Sequence, residues 1–114
     1  MQQLAHGSLD LPVPITNYFA QEADGSAAIA ECFTADAVVI DEARTHEGRA
    51  AIAAWHAAAA ASVGARTMVL HAESEGEHTT VRGRVSGEFP GSPVDLQFHF
   101  TCADGLIARL EIGA

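Results

Sequence analysis

Three segments of the chain carry hydrophobic residues at helical spacing. The first begins at Pro14, which fits the first turn of a helix because its missing N–H is not needed there, and Asp24-Gly25 ends it. Ser26 can cap the second segment, and the third begins after Gly48 and stops at Gly64. The apolar positions of the three predicted helices are, in order, Ile15, Tyr18 and Phe19; Ile29, Cys32 and Phe33; and Ile52, Trp55 and His56.

The remaining hydrophobic residues alternate with polar ones, which is the pattern of β-strands. One short strand, 37–41, precedes the third helix and places Val38 and Ile40 on one face. After Gly64 we predict four antiparallel strands, the first two over 66–75 and 78–89, with turns at 75–77, Pro90-Gly91 and Asp104-Gly105. The residues expected to face inward are Val81, Val85, Leu96, Phe98, Phe100, Cys102, Ala108, Leu110 and Ile112.

The opposite face of this sheet is polar and carries charges of both signs. Its residues are Arg82, Arg84, Gln97, His99, Arg109 and Glu111. Two interpretations remain open: a homodimer formed through this outer sheet face, since self-complementary surfaces commonly make two-fold dimers, or a simply hydrated face.

This order of elements predicts an α+β fold in which three N-terminal helices pack on one face of a strongly curved antiparallel sheet. A sheet that curls around helices leaves a central pocket where side chains do not fill the space. We expect a single domain over residues 1–114, with residues 1–13 as a flexible arm.

The composition of the chain argues against some classes of function. The 114 residues carry a formal net charge of -9 and no lysine, which argues against nucleic-acid binding and excludes Schiff-base chemistry. Cys32 and Cys102 are expected to be free, buried thiols. No signal sequence or membrane span is evident, so a cytoplasmic protein without a membrane partner is predicted.

Several segments together resemble the SnoaL-like polyketide cyclase family of the NTF2-like superfamily over residues 13–113. They are Ile15-Thr16-Asn17-Tyr18-Phe19-Ala20, Cys32 to Asp41 (CFTADAVVID), Gly48 to Trp55 (GRAAIAAW), Val85 to Pro93 (VSGEFPGSP) and Asp104 to Leu110 (DGLIARL). The resemblance implies the NTF2-like cone with a central pocket. The superfamily includes polyketide cyclases, ketosteroid isomerases and pocketed proteins without an assigned reaction, so function has to be argued from the site.

Asp41 is the first candidate catalytic residue, because it ends an apolar strand where a carboxylate at the rim of a cavity could abstract a proton. The alternative is a solvated turn residue paired with Arg44. The resemblance implies an acid/base carboxylate near Asp41 and an oxyanion-donating tyrosine at Tyr18, although Tyr18 could equally be ordinary packing. Asp95 is expected on the outer face, so the second acid of a ketosteroid isomerase oxyanion hole is missing.

The candidate pocket-lining residues are Phe33, Trp55, His56, Met68, Phe98 and Phe100. For each of them a place in the core is the competing interpretation. His46, in the loop after Asp41, is a possible second acid/base group. No metal site or cofactor is predicted, since His71, His78 and His99 lie on separate strands.

Two functional hypotheses therefore remain. The first is a protein that binds a small hydrophobic metabolite, carbonyl-bearing or polycyclic, and catalyses cofactor-free isomerisation, cyclisation or dehydration with Asp41 as base and Tyr18 as polar partner. The second is a non-catalytic ligand-binding or dimerisation module of the same fold.

Overall fold

The computed structural model describes residues 11–21, 26–63 and 66–113. Its helices and strands follow the chain in this order: α1 (Val13–Ala20), α2 (Ser26–Ala30), β1 (Phe33–Asp41), β2 (Arg44–Glu47), α3 (Arg49–Val63), β3 (Arg66–Glu75), β4 (His78–Ser86), β5 (Val94–Ala103) and β6 (Leu106–Gly113). The predicted helix stops at Asp24-Gly25 and Gly64, and residues 1–10 of the predicted arm, lie outside the described residues. Residues 11–13 are not a loose arm, because Leu11 packs against the core and α1 already begins at Val13.

The six strands form one curved sheet in the order β2-β1-β6-β5-β4-β3. Its neighbours are antiparallel except for β1 and β6, which run parallel, so the sheet is mixed rather than purely antiparallel as predicted. β-Bulges interrupt the register between Val69 and His71 and between Thr101 and Cys102. Since a bulge bends its strand and increases the twist, these irregularities favour the curvature of the sheet.

The core lies on the inner face of the sheet. Large side chains without solvent exposure meet there: Phe33 and Val39 of β1, Val81 of β4 and Leu110 of β6, with Ile15 and Ile52 from the helices. Each such side chain contributes roughly 1.5–3 kcal/mol through removal of its apolar surface from water. The predicted inward residues of β4 and β5 are confirmed, but in β6 Ile107 rather than Ala108 is fully buried, because the nearby bulge shifts the alternation.

Two elements near Asp41 differ from the sequence prediction. Phe33 does not end the second helix but begins β1, where it is fully buried. His46 does not lie in a loop, because 44–47 form the edge strand β2. Strand β4 also ends at Ser86 rather than Phe89, and residues 87–93 form the connection to β5.

Candidate functional site

Asp41 is the last residue of β1 and lies on the inner face of the sheet. Ala37 and Val39, two and four positions earlier, are fully buried on that face, whereas Val38 and Ile40 point to the other side. Across the sheet, Asp41 aligns with Ile112, Phe98 and Val81, which we call the Asp41 row. The carboxylate therefore follows an apolar strand and stands beside apolar neighbours.

Helix α3 brings Trp55 to Asp41. The Gly48 N–H donates to the Ala37 carbonyl at 2.8 Å, and the Arg49 Nε donates to the Phe33 carbonyl at 2.9 Å, so β1 anchors the start of the helix. Gly48 has φ +86°, a left-handed conformation that glycine adopts without steric cost. The seven residues from Gly48 to Trp55 along the helix and the four from Ala37 to Asp41 along the strand each cover roughly 10–13 Å. Trp55 therefore lies level with Asp41.

The indole of Trp55 holds one oxygen of the Asp41 carboxylate. Trp55 Nε1 donates to Asp41 Oδ2 at 3.0 Å. Within the described part of the chain, Oδ1 accepts no protein hydrogen bond, and the ion pairs are His71–Glu73, Arg84–Asp95 and Arg109–Glu111. Asp41 is therefore not paired with Arg44, its cross-strand neighbour, which was the alternative interpretation of the sequence.

Two histidines flank Trp55. His46 is half-buried in β2 opposite Val39, and its ring centroid lies 6.0 Å from that of Trp55. His56 is buried, with a ring centroid 6.1 Å from that of Trp55, and desolvation lowers its pKa below the ordinary histidine value. Burial therefore favours a neutral imidazole at His56.

Tyr18 lies deeper than Asp41 in the same interior. It is only 3% exposed, and its ring makes edge contacts with Phe19, Phe33 and Phe100 at centroid distances of 5.1, 5.9 and 5.7 Å. Phe100 aligns across the sheet with Leu110 and Val39, one row away from Asp41 on the inner face. The two rows are separated by about 7 Å along the strands.

The predicted lining residues fall into three groups. Phe33, Phe98 and Phe100 are buried core residues and His56 is buried on α3, while Trp55 is half-buried above the Asp41 row. Met68 is wrong as a wall of the interior: it is 64% exposed and pairs across β3–β4 with Arg84 on the outer face. The alternation of β3 places Thr67 and Val69 inward instead.

Sequence reasoning overlooked part of the apolar surface of the inner face. Phe19, whose ring contacts that of Phe98 at 5.5 Å, is packed against the core but only partly buried. The partly buried hydrophobic residues of the neighbouring inner sheet face are Val69, Ala72, Val85, Leu96 and Ile112. Strand alternation had marked Val85, Leu96 and Ile112 as inward-facing, and this was the signal that could have identified them as lining residues.

The outer face holds the charged residues. Asp95 accepts a bidentate hydrogen bond from Arg84, at 2.8 and 3.2 Å, which lowers the pKa of the Asp95 carboxyl. Asp95 is therefore the outer-face residue that the alternation predicted. Among the described residues, no group of three His, Cys, Asp or Glu side chains is placed to hold a metal ion.

The thiols and the helices add two findings. Cys32 is buried and Cys102 is half-buried, both are free, and burial raises the pKa of each thiol above its ordinary value. No helix in the described ranges is long and apolar enough to cross a lipid bilayer.

A comparison with known families settles the relationship that the fold indicates. The sequence profile of the SnoaL-like domain matches residues 15–110, which is most of the chain. The chain belongs to the SnoaL-like family. The fold of this SnoaL-like protein is NTF2-like, and a comparison with curated proteins returned no match.

Several solved structures are similar to the SnoaL-like chain. A candidate polyketide cyclase from Sinorhizobium meliloti is 43% identical, with a TM-score of 0.88 over 92% of this chain and 97% of that one. A protein with a ketosteroid isomerase-like fold from Catenulispora acidiphila, solved with trimethylamine, is 21% identical, with a TM-score of 0.81 over 92% and 87%. TerC, co-crystallised with polyporic acid, is 19% identical, with a TM-score of 0.72 over 88% and 87%.

Proposed function

We propose that this SnoaL-like protein binds a small hydrophobic, carbonyl-bearing molecule against the inner face of the sheet, and that Asp41 removes a proton from it. The observation that supports this most is the carboxylate itself. It stands on an apolar face, one oxygen is held by Trp55, and the neighbouring Arg44 is not paired with it. A carboxylate in such a setting suits general base chemistry.

The partly buried hydrophobic residues of the inner face would form the walls of the binding site. Ile112 lies next to Asp41 across β1 and β6, and Phe19 contacts Phe98 of the Asp41 row. Such a surface fits a flat hydrocarbon ring better than a sugar or a nucleotide, because it offers few hydrogen-bonding groups. The similarity to a candidate polyketide cyclase and to a protein crystallised with polyporic acid also favours a cyclic ligand.

The proposed reaction needs no cofactor. Asp41 takes a proton from the carbon next to the carbonyl group, so that the C–H bond breaks and its electron pair moves into the carbonyl oxygen as an enolate. Tyr18, one row deeper, is the proposed donor to that oxygen. Where the substrate has a β,γ double bond, the enolate is a dienolate, and return of the proton from Asp41 to the γ-carbon gives isomerisation. Attack of the enolate carbon on a second carbonyl, whose oxygen takes the proton from Asp41, gives cyclisation. Departure of a β-hydroxyl, which takes that proton and leaves as water, gives dehydration.

Proton abstraction can be tested without the natural substrate. The probe is the bicyclic ketone β-tetralone, whose α-protons exchange in deuterium oxide and can be followed by proton NMR. We expect the protein to accelerate exchange and Asp41→Asn to reduce the enzymatic rate by roughly 100-fold or more, as removal of a general base does. Tyr18→Phe should lower the rate less.

Asp36→Asn is the matched control, because Asp36 lies on the same strand but is exposed. It should exchange β-tetralone at the wild-type rate. Equal rates for Asp41→Asn and wild type would refute the assignment of the base. Binding of β-tetralone without exchange, unaffected by Asp41→Asn, would instead favour the non-catalytic binding module.

A homodimer through the outer sheet face is the second part of the proposal. On strands β3 to β6, four arginines and four carboxylates point outward and balance one another: Arg66, Arg82, Arg84, Arg109, Glu73, Glu75, Asp95 and Glu111. The formal net charge of -9 is therefore carried by the rest of the chain. Two such chains repel least where this neutral face meets its copy.

A further inference from the structure

The tight hairpin between β1 and β2 gives Asp41 a second possible partner. Arg44 lies directly across from Asp41, and directly opposed side chains point to the same face of a sheet. An arginine and a carboxylate in this position ordinarily form a charge-assisted, often bidentate pair. Arg44 is exposed, so such a pair would turn the carboxylate toward solvent at the sheet edge.

From this competition we infer that Trp55 is a positioning residue, which keeps the Asp41 carboxylate on the inner face and away from Arg44. The inference rests on the proposed function, because it concerns the orientation in which Asp41 meets its substrate. Trp55 can do this since its helix is anchored on β1 at Ala37 and Phe33 before the indole reaches Asp41. His46 and His56 further confine the indole from β2 and from α3 itself.

The same hydrogen bond selects which oxygen reacts. An indole N–H is a donor only, so it occupies Oδ2 as an acceptor and cannot itself take up a proton. Oδ1 is then the oxygen that accepts the substrate proton: the substrate C–H bond breaks and an O–H bond forms on Oδ1. Without the indole N–H, neither carboxylate oxygen would be held by a hydrogen bond, and the carboxylate could turn toward Arg44.

The kinetic experiment compares Trp55→Phe, Arg44→Gln and the double variant in β-tetralone exchange. We expect Trp55→Phe to lower kcat by about tenfold, the equivalent of one charge-assisted hydrogen bond, with a smaller change in KM. Arg44→Gln alone should have the wild-type rate. Combined with Trp55→Phe, it should restore much of kcat, because the competing partner is gone, and a merely structural role of Trp55 would give no such rescue.

A second variant distinguishes the loss of the N–H donor from any misfolding that Trp55→Phe causes. Trp55 is the single tryptophan of the sequence, so β-(3-benzothienyl)alanine, which replaces the indole N–H by sulfur at nearly the same shape, can be incorporated at this position alone. It should reproduce the loss of kcat. Wild-type kcat in this variant, while Asp41→Asn remains inactive, would overturn the inference and leave the proposed function standing.

The spectroscopic experiment needs no substrate. A single tryptophan gives one indole signal in the nitrogen–proton correlation spectrum, and Asp41→Ala should shift it and increase its exchange with water. Glu42→Ala, the adjacent exposed carboxylate, is the control and should leave the signal unchanged. If the wild type fails to exchange β-tetralone, the proposed function fails, and an indole signal unaffected by Asp41→Ala would separately overturn the positioning by Trp55.

Discussion

His56 illustrates, at the scale of the residue, how burial sets the charge of a side chain in the site. In the folded protein, desolvation lowers the pKa of its imidazole. In the unfolded chain, the pKa of histidine is about 6.5. Above that pH both states are neutral. As the pH falls below it, the unfolded chain takes up the proton more readily, so His56 lowers the free energy of unfolding, by at most about 1.4 kcal/mol at pH 5.5.

Urea unfolding at pH 7.5, 6.5 and 5.5 measures this contribution. The loss of stability on acidification should be smaller in His56→Gln than in the wild type. The same slope in wild type and His56→Gln would show that folding does not lower the pKa of this imidazole.

At the scale of the element, Gly83 of β4 sets how closely the inner side chains pack. A Cβ at this position would lie 2.7 Å from Thr67 Cγ2 and 3.1 Å from Phe98 Cε1. We therefore expect Gly83→Ala to destabilise the protein by roughly 1–3 kcal/mol, the usual cost of overpacking, as measured by the urea midpoint.

Thr67→Ser removes the clashing methyl group and keeps the hydroxyl. The double variant Gly83→Ala/Thr67→Ser should regain part of the lost stability. Gly113→Ala is the control in another strand, because its Cβ would meet nothing within 4 Å. If Gly83→Ala and Gly113→Ala had equal stability, the close packing of β3, β4 and β5 at this point would be refuted.

The helices and the long strands could be predicted from the sequence because their signals are local. Period-two alternation identified the inner residues Val81, Phe98 and Phe100 of β4 and β5. The short strand β2 was missed because Glu42 and Ala43, the two turn residues, both adopt positive φ without the glycine or asparagine that usually marks such a turn. His46 was consequently assigned to a loop.

The site could be predicted only in part, because some of its contacts join residues that are far apart in the sequence. Asp41 is marked by its place after an apolar strand, and in the structure it lies on the inner face of the sheet beside Ile112 and Trp55. Its hydrogen bond with Trp55 depends on how α3 lies along β1, which no local period encodes. The parallel pairing of β1 with β6 is equally non-local. The outward position of Met68, in contrast, follows from the alternation of β3, which is a local signal.

At the scale of the whole molecule, the outer face of the sheet differs in net charge from the rest of the chain. The outer face is balanced, while the rest of the chain is strongly acidic, so association through any other surface would bring like charges together. Two grooves of about 490 and 360 Å³ cross this face, and side chains of its strands, such as His99 and Arg82, line them. A second copy could seat its own side chains there.

Sedimentation equilibrium tests this dimer, with the chain mass of 11.9 kDa as reference. We expect the measured mass of the wild type to be twice that value. Arg82→Glu should shift it toward the monomer, because the substitution adds unbalanced negative charge to both copies of the face that the proposed dimer would bury. Arg44→Glu makes the same change of charge on β2, away from the face formed by β3 to β6, and should remain dimeric. A wild-type monomer at high protein concentration would refute the dimer. Equal dissociation of both variants would show that net charge, rather than this face, controls association.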